Sequence, residues 1–183
     1  MNVVPMAIAE VLLIEPRVFR DERGYFLETF NQRVFELATG LAPVFVQDNH
    51  SRSRRGVLRG LHYQLPPHAQ GKLVRVSQGS VFDVAVDIRR ASPTFGRWVG
   101  AELSAENFRQ MWIPPGFAHG FLALSESADF LYKTTDVWVK ECDRAMQWDD
   151  PELGIEWPLP KGGLTIAAKD LAAPPMRLAE LFD

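Results

Sequence analysis

The sequence predicts an all-β protein, built as a β-sandwich or a jelly-roll barrel. Many short segments with strand-like alternation are separated by Gly, Pro and Asn turns, and long helical periodicity is almost absent. A chain of 183 residues with about ten strands is most economically arranged as two sheets. This length can bury a core without disulfides or metal, so residues 1–183 are expected to form one domain.

Two predicted strands place polar side chains where a ligand could contact them. In residues 81–89 the even positions form an apolar face, which we expect to be core, and the odd positions, including Asp83, form a polar face. In residues 130–139 one face carries both Tyr132 and Trp138. At about 3.3 Å per residue these two side chains lie about 20 Å apart, which suits the two ends of an elongated ligand.

Only a few short helices are expected. The clearest covers residues 31–38, where Asn31 is a suitable N-cap and Gly40 can end the helix. A few residues within 176–181 are expected to form another. The strands therefore dominate the predicted fold.

Composition and charge exclude several function classes. The net charge of −3 provides no basic footprint for nucleic acid. No stretch approaches the roughly 18 consecutive apolar residues of a membrane span, and the first residues lack the basic region of a signal peptide. Cys142 is the only cysteine, which rules out an internal disulfide and a cysteine-based metal cluster. We therefore expect a cytoplasmic protein without nucleic acid or membrane partners.

Histidine is the side chain best suited to proton transfer near neutral pH. The chain has four, namely His50, His62, His68 and His119. A lone histidine in a strand is more often structural, but the context favours two of them. His62 lies in GVLRGLHYQ, and His119 lies in IPPGFAHGF, where prolines and glycines form a tight turn that presents the side chain. These two are the candidate proton-transfer groups.

A metal site is disfavoured by the spacing of the histidines. Small jelly rolls often bind iron or zinc through a His-x-His pair and a carboxylate, and that pattern is absent. A histidine base without a metal needs a carboxylate to orient it. The candidates are Asp83, Asp87 and Asp170, and periodicity does not choose among them. Taken alone, Asp170 in IAAKDL is typical of a solvated loop charge.

Arg59 and Arg23 are the natural candidates to bind a diphosphate, because guanidinium groups match phosphate oxygens, and the alternative for each is an ordinary surface arginine. Arg59 and His62 are three residues apart, so on a regular strand their side chains point to opposite faces. Both can face one pocket only if Gly60 marks a bulge or if the strand begins late.

Eight segments resemble, in order, those of the dTDP-4-dehydrorhamnose 3,5-epimerase family. They are FRDERGYFLETFN, FVQDNHSRS, GVLRGLHYQ, AQGKLVRVSQGSVFDVAVDIR, SPTFG, RQMWIPPGFAHGF, YKTTDVW and WDDPELGIEWP. They cover most of the chain, and because each is long the resemblance is specific. It implies a cupin-like jelly-roll β-barrel with a few short peripheral helices, no metal and no cofactor.

The resemblance implies a role for each catalytic candidate. His62 is the general base and Asp170 its partner, which replaces the interpretation of Asp170 as a solvated charge. Tyr132 is the acid on the opposite face of the sugar. Lys72 is the group expected to stabilise the enolate, with Asp83 and His119 nearby.

The resemblance also implies how the dTDP-sugar is bound. The side chains expected to bind it within one chain are Arg59, Gln47, Asn49, Trp138 and Lys169. Family members are homodimers whose N-terminal segments, about residues 1–30 here, cross to the partner. The side chains expected to reach the partner's site are Phe19, Arg23, Phe26 and Glu28. Trp138 stands where many relatives have tyrosine, which should preserve stacking on thymine.

The implied activity is inversion of C3 and C5 of dTDP-4-dehydro-6-deoxy-D-glucose to dTDP-4-dehydro-L-rhamnose, a step of dTDP-L-rhamnose and lipopolysaccharide biosynthesis. A proton beside the C4 ketone is acidic because its carbanion delocalises as an enolate, and inversion needs an acid and a base on opposite faces. The enzymatic alternatives are a single-centre C3 or C5 epimerase, a ketoisomerase and a metal-dependent cupin oxygenase. The non-enzymatic alternative is a sugar-nucleotide-binding cupin module.

Overall fold

The computed structural model describes all residues 1–183 and contains two stacked β-sheets, two short α-helices and one 3₁₀ helix. The strands are β1 Asn2–Pro5, β2 Leu12–Glu15, β3 Val18–Asp21, β4 Gly24–Leu27, β5 Gln47–Arg54, β6 Val57–Gln64, β7 Lys72–Gln78, β8 Ser80–Asp87, β9 Trp98–Ser104, β10 Gln110–Ile113, β11 Phe117–Ala123, β12 Ser127–Thr134, β13 Asp143–Ala145 and β14 Thr165–Ile166. The helices are α1 Gln32–Thr39, α2 Ala168–Leu171 and the 3₁₀ turn Met176–Leu178. The all-β jelly-roll prediction is confirmed.

Each large sheet has six strands. The first has the order β1-β2-β10-β7-β12-β5, and the second has the order β13-β6-β11-β8-β9, with β14 pairing in parallel to β6. Apart from β14, every pairing within these sheets is antiparallel. A third, two-stranded sheet consists of β3 and β4 alone. None of the helices is long and apolar enough to cross a membrane.

Three apolar clusters hold the sheets together, and strand alternation assigns side chains to them. On β7, Val74 points into the space between the sheets, whereas Leu73 packs on the outer face of the first sheet. The outer face of the second sheet is covered by the C-terminal segment, where Trp157 packs in one cluster with Val84 and Val86. Both outer faces are thus covered by connecting chain.

The prediction that residues 81–89 form a strand with one apolar face and one polar face is partly wrong. The strand is Ser80–Asp87, and its even side chains are buried under the C-terminal segment, as expected for core. The odd side chains are buried as well, because Val81 and Ala85 belong to the inter-sheet cluster and Asp83 is fully buried. A strand covered on both faces has no solvated side, so the odd face is buried with two embedded carboxylates, Asp83 and Asp87.

Helix α1 confirms the prediction for residues 31–38 to within one residue at each end. The Asn31 side chain accepts a hydrogen bond from the Val34 N–H at 3.2 Å, and Gly40 ends the helix in the left-handed conformation with φ 72°. Phe35 is fully buried against the outer face of the first sheet. Burial of such a ring stabilises the fold by about 2–3 kcal/mol. Helix α2 was not expected, and the C-terminal helix is only a 3₁₀ turn.

The predicted strand 130–139 is too long at its C-terminal end. Strand β12 stops at Thr134, whose pairing partners Gln47 and Lys72 are the first residues of β5 and β7. Beyond this point no neighbouring strand remains, and the Asp136 carboxylate accepts from the Val137 N–H at 2.7 Å instead. Trp138 therefore lies outside the strand that carries Tyr132, and the prediction that one strand face carries both is wrong.

The N-terminal 30 residues divide into two parts. Strands β1 and β2 belong to this chain's own first sheet, next to β10. The β3–β4 hairpin forms a sheet of its own, with Phe19 and Phe26 largely exposed. Of the strands in the segment expected to cross to a partner subunit, only those of this hairpin lie outside the two large sheets.

Candidate active site

A cavity of about 290 Å³ opens between the two sheets and is lined by 16 residues. Eight of them were predicted from the sequence, namely Arg59, His62, Lys72, His119, Tyr132, Trp138, Lys169 and Asp170. They come from strands β6 and β11 of the second sheet, strands β7 and β12 of the first sheet, the loop after β12, and helix α2. The cavity thus gathers side chains that are distant in sequence.

His62 and Asp170 form a dyad in which the carboxylate is buried and the imidazole is partly exposed. His62 Nε2 lies 2.7 Å from Asp170 Oδ1, and Asp170 Oδ2 accepts from the Gly60 N–H at 3.3 Å. Asp170 is 2% exposed, so its interpretation as a solvated loop charge is wrong. Burial raises the pKa of Asp170, but the His62 hydrogen bond and charge and the Gly60 N–H outweigh it, and the net pKa lies below its usual value. The ionised carboxylate only accepts, so His62 Nε2 carries the hydrogen and Nδ1 presents a lone pair.

A bulge at Gly60 brings Arg59 and His62 to one cavity despite their opposite parity. On β11 the pairing partners of these residues are Phe121 and His119. Three residue steps along β6 therefore lie opposite only two along β11. Gly60 has φ 127°, and a Cβ at this position would lie 2.5 Å from Gly120 Cα. Only glycine fits, which resolves the parity conflict in favour of the bulge.

Lys72, Asp83 and His119 form a buried polar group beside the dyad. Lys72 Nζ donates to the His62 carbonyl at 3.3 Å. Burial lowers the pKa of Lys72 to about 8, opposed by the charges of Asp143 and Asp83. His119 Nε2 lies 2.9 Å from Asp83 Oδ2, and burial raises the pKa of Asp83 while lowering that of His119. Asp83 does not line the cavity, whereas its partner His119 and the neighbouring Lys72 do.

Tyr132 reaches the cavity from the other sheet. It lies on β12 between Val74 of β7 and Asn49 of β5, whereas His62 lies on β6 of the second sheet. Burial raises the pKa of the Tyr132 hydroxyl, opposed by the charge of Arg59. Tyr132 is therefore protonated at neutral pH and faces the histidine across the cavity.

Trp138 lies at the rim of the cavity with its side chain 55% exposed. Arg59 also lines the cavity and is exposed, and its Nε donates to Ser53 Oγ at 3.1 Å. Gln47 and Asn49 do not line the cavity. Gln47 Oε1 accepts from the Trp138 N–H at 2.9 Å, and its Nε2 donates to Asn49 Oδ1 at 3.0 Å. The structure thus places this pair behind Trp138 rather than on the cavity wall.

The four predicted residues of the N-terminal segment lie away from this chain's cavity. Phe19, Phe26 and Glu28 line a separate cavity of about 490 Å³ at the base of the hairpin. Arg23 is paired with Asp21 at the hairpin tip. Within a single chain these side chains do not join the site, and their placement in a partner's cavity stays a prediction.

Eight lining residues were not predicted. They are Ser51, Tyr63, Gln64, Gln70, Phe121, Phe130, Asp143 and Ala167. Strand parity could have identified Gln64, which follows His62 by two positions on β6. Asp143 pairs with Gln64 on β13, a strand of three residues with no periodicity of its own. No pattern in the sequence identifies such a residue.

The remaining histidines lie outside the cavity, each beside an aspartate. His68 Nδ1 is 3.1 Å from Asp136, and His50 Nε2 is 3.7 Å from Asp129. No group of three or more His, Cys, Asp or Glu side chains is arranged to hold a metal ion.

Comparison with known proteins gives a consistent result. The family model described as dTDP-4-dehydrorhamnose 3,5-epimerase matches residues 5–177. A dTDP-4-dehydrorhamnose 3,5-epimerase of Pseudomonas aeruginosa is 67% identical over 159 residues, covering 87% of each chain. The crystal structure of a Legionella pneumophila dTDP-6-deoxy-D-glucose-3,5-epimerase in complex with dTDP-4-keto-L-rhamnose superposes with a TM-score of 0.94 at 52% identity, covering 97% of this chain and 93% of that one. ChmJ, a 3′-monoepimerase from Streptomyces bikiniensis in complex with dTDP-quinovose, superposes with a TM-score of 0.88 at 32% identity, covering 97% of this chain and 88% of that one.

Proposed function

Since this chain belongs to the dTDP-4-dehydrorhamnose 3,5-epimerase family, we propose that it inverts C3 and C5 of dTDP-4-dehydro-6-deoxy-D-glucose to give dTDP-4-dehydro-L-rhamnose. The observation that carries this proposal is the pairing of a carboxylate-oriented histidine from one sheet with a protonated tyrosine from the other, across one cavity.

Proton removal is assigned to His62. Its Nε2 is held by Asp170 at 2.7 Å, so Nδ1 is the free base. The imidazolium that forms is stabilised by the ionised Asp170 carboxylate, whose negative charge is close and shielded from water. The dyad therefore both aims the base and offsets the charge that develops on it.

The enolate oxygen at C4 needs a cationic or hydrogen-bonding partner, because the carbanion is stable only when its charge moves to that oxygen. Lys72 is assigned this role. With a pKa of about 8 it is protonated at neutral pH, and its burial strengthens its interaction with a nearby oxyanion. C3 and C5 both flank C4, so one ammonium group can serve both inversions.

Proton return is assigned to Tyr132. Inversion requires that the second proton arrive from the face opposite the base, and Tyr132 stands on the opposite sheet. Burial keeps its hydroxyl protonated until the enolate accepts the proton. The two steps exchange one proton for another and need no redox cofactor.

The nucleotide is assigned to the rim of the cavity. The exposed Trp138 ring offers a stacking face for thymine, and Arg59 and Lys169 supply positive charge for the diphosphate. A homodimer in which the β3–β4 hairpin adds Phe19, Arg23, Phe26 and Glu28 to the partner's cavity completes the proposed site. The exposed aromatic side chains of this hairpin support that arrangement.

A single-centre epimerase is the second candidate, favoured by the superposition of a 3′-monoepimerase over 97% of this chain. Turnover of the dTDP-4-keto sugar in deuterated water separates the two activities, because each inverted carbon takes up solvent label. Deuterium at both C3 and C5 is the expected result. Deuterium at only one of these carbons after complete turnover contradicts the double inversion.

A further inference from the structure

The loop that carries Trp138 has no strand partner. Residues 135–139 follow the end of β12 and lie outside both sheets. Two of their backbone groups bond to loop backbone, the Thr135 N–H to the Gly71 carbonyl at 3.0 Å and the Val139 carbonyl to the Cys142 N–H at 3.0 Å, and the others must be satisfied by side chains or water.

Three glutamine side chains bond to four of these groups, namely the Asp136 and Val137 carbonyls and the Trp138 and Val139 N–H groups. Gln70 Nε2 donates to the Asp136 carbonyl at 2.8 Å. Gln64 Nε2 donates to the Val137 carbonyl at 3.1 Å, and Gln64 Oε1 accepts from the Val139 N–H at 2.7 Å. As described above, the Trp138 N–H donates to Gln47.

Gln64 is the central member of this group, because it holds the backbone on both sides of Trp138. Its side chain is 3% exposed, and its amide also donates to the His68 carbonyl at 2.7 Å. Both hydrogens and the oxygen of the amide are used, so the side chain has one favourable orientation. An apolar residue of the same length could fill the space but could not hold the loop.

The Trp138 ring itself has little support. It is 55% exposed and makes no aromatic stacking or cation–π contact within the chain. No aromatic or cationic side chain therefore fixes the ring, and its position depends on the backbone that carries it. A platform for a base must be held in place before the ligand arrives, because ordering it on binding costs affinity.

We propose that Gln64 is a positioning residue for nucleotide recognition, which clamps the backbone on both sides of Trp138 and so holds its ring ready for the base. This inference rests on the proposed function, in which Trp138 stacks on thymine. Gln64 needs no contact with the ligand to act in this way, since its effect passes through Trp138.

A double-mutant cycle with Gln64→Met and Trp138→Ala tests the proposal, with dTDP binding measured by calorimetry and kcat and KM measured on the dTDP-4-keto sugar. Trp138→Ala is expected to weaken dTDP binding about tenfold, in line with the loss of one base–aromatic stack. Gln64→Met is expected to weaken it about fivefold and to raise KM similarly, with kcat at saturation changed less than about threefold. In the Trp138→Ala background, Gln64→Met is expected to cause no further loss.

Two further variants separate positioning from general destabilisation. Asp150 is also 3% exposed and holds loop backbone, accepting from the Glu152 and Met176 N–H groups, but it lies outside the cavity. Asp150→Leu is expected to lower the melting temperature and leave dTDP affinity unchanged. Gln64→Glu retains an acceptor for Val139 but no donor for Val137, so it is expected to weaken dTDP binding at least as much as Gln64→Met.

Wild-type dTDP affinity in a folded Gln64→Met protein contradicts the positioning role of Gln64. The same holds if Gln64→Met weakens dTDP binding as much in the Trp138→Ala background as in the wild type. Either result leaves the proposed function intact. If Trp138→Ala itself binds dTDP normally, the assignment of the nucleotide to Trp138 is wrong and the clamp is wrong with it.

Discussion

His62 Nε2 and Asp170 Oδ1 lie 2.7 Å apart, although 108 residues separate them in the chain. Asp170 lies on helix α2, which is only four residues long and places the carboxylate beside the second sheet. The buried carboxylate then fixes the tautomer of the histidine and stabilises its protonated form.

Asp170→Asn is expected to lower kcat by about 10²–10⁴-fold, because the amide does not stabilise the imidazolium and permits the wrong tautomer. Steady-state kinetics on the dTDP-4-keto sugar measure the effect. Asp129→Asn is the matched control, since Asp129 lies beside His50 on the outer side of the fold, and it should retain wild-type kcat. An Asp170→Asn enzyme within threefold of wild type contradicts the dyad.

Tyr132→Phe is expected to separate proton removal from inversion. His62 can still remove a proton and return one to the same face, so in deuterated water the substrate should gain label while product formation falls by about 10²-fold or more. Nuclear magnetic resonance of the sugar reports both. Tyr63→Phe is the control, because its hydroxyl only donates to the Glu180 carbonyl. Full product formation by Tyr132→Phe rules out the assigned acid.

The activity is expected to fall on the alkaline side as Lys72 loses its proton. Burial lowers the pKa of this lysine to about 8, so the ammonium form decreases as the pH rises through that value, and kcat/KM should decrease with it. Lys72→Met should lower kcat by about 10²–10³-fold. Lys133→Met, which removes an amine paired with Asp48 on the outer face, should behave as wild type. A pH profile of kcat/KM that stays flat well above pH 8 is incompatible with this role.

Gly60→Ala is expected to destabilise the fold by about 2–4 kcal/mol and to lower activity. The added Cβ meets Gly120 Cα at 2.5 Å, and φ 127° disfavours any side chain. Chemical denaturation measures the free energy of unfolding. Gly162→Ala is the control, since a Cβ there meets nothing within 4 Å. Equal stability of the two variants contradicts the need for glycine at the bulge.

Two inactive variants are expected to complement each other if the hairpin serves a partner's cavity. In a mixed dimer of His62→Ala and Arg23→Ala chains, one site combines an intact cavity with an intact hairpin. Random mixing should therefore restore about a quarter of wild-type activity, since about half of the dimers are mixed and each has one complete site. Assays before and after unfolding and refolding the mixture together measure this. No recovery argues against shared sites.

The repeating patterns of the sequence were sufficient to predict the β-strands and helix α1. Alternation and turn residues predicted the β-sheets, and the Asn31 cap and Gly40 predicted helix α1, because these signals depend on neighbours close in sequence. The long matching segments predicted the family, which the comparisons confirm. They also placed His62, Lys72 and Tyr132 in one site, and these three line one cavity.

By itself, then, the sequence determined the fold class and the family, and it proposed the chemical groups of the site. Only the tertiary structure decided between a bulge and a late strand start at Gly60, ended β12 at Thr134, and replaced the polar face of Asp83 with a buried one. Each of these depends on which strand or loop lies alongside, through hydrogen bonds and contacts between residues far apart in the chain. Local periodicity carries no information about such neighbours.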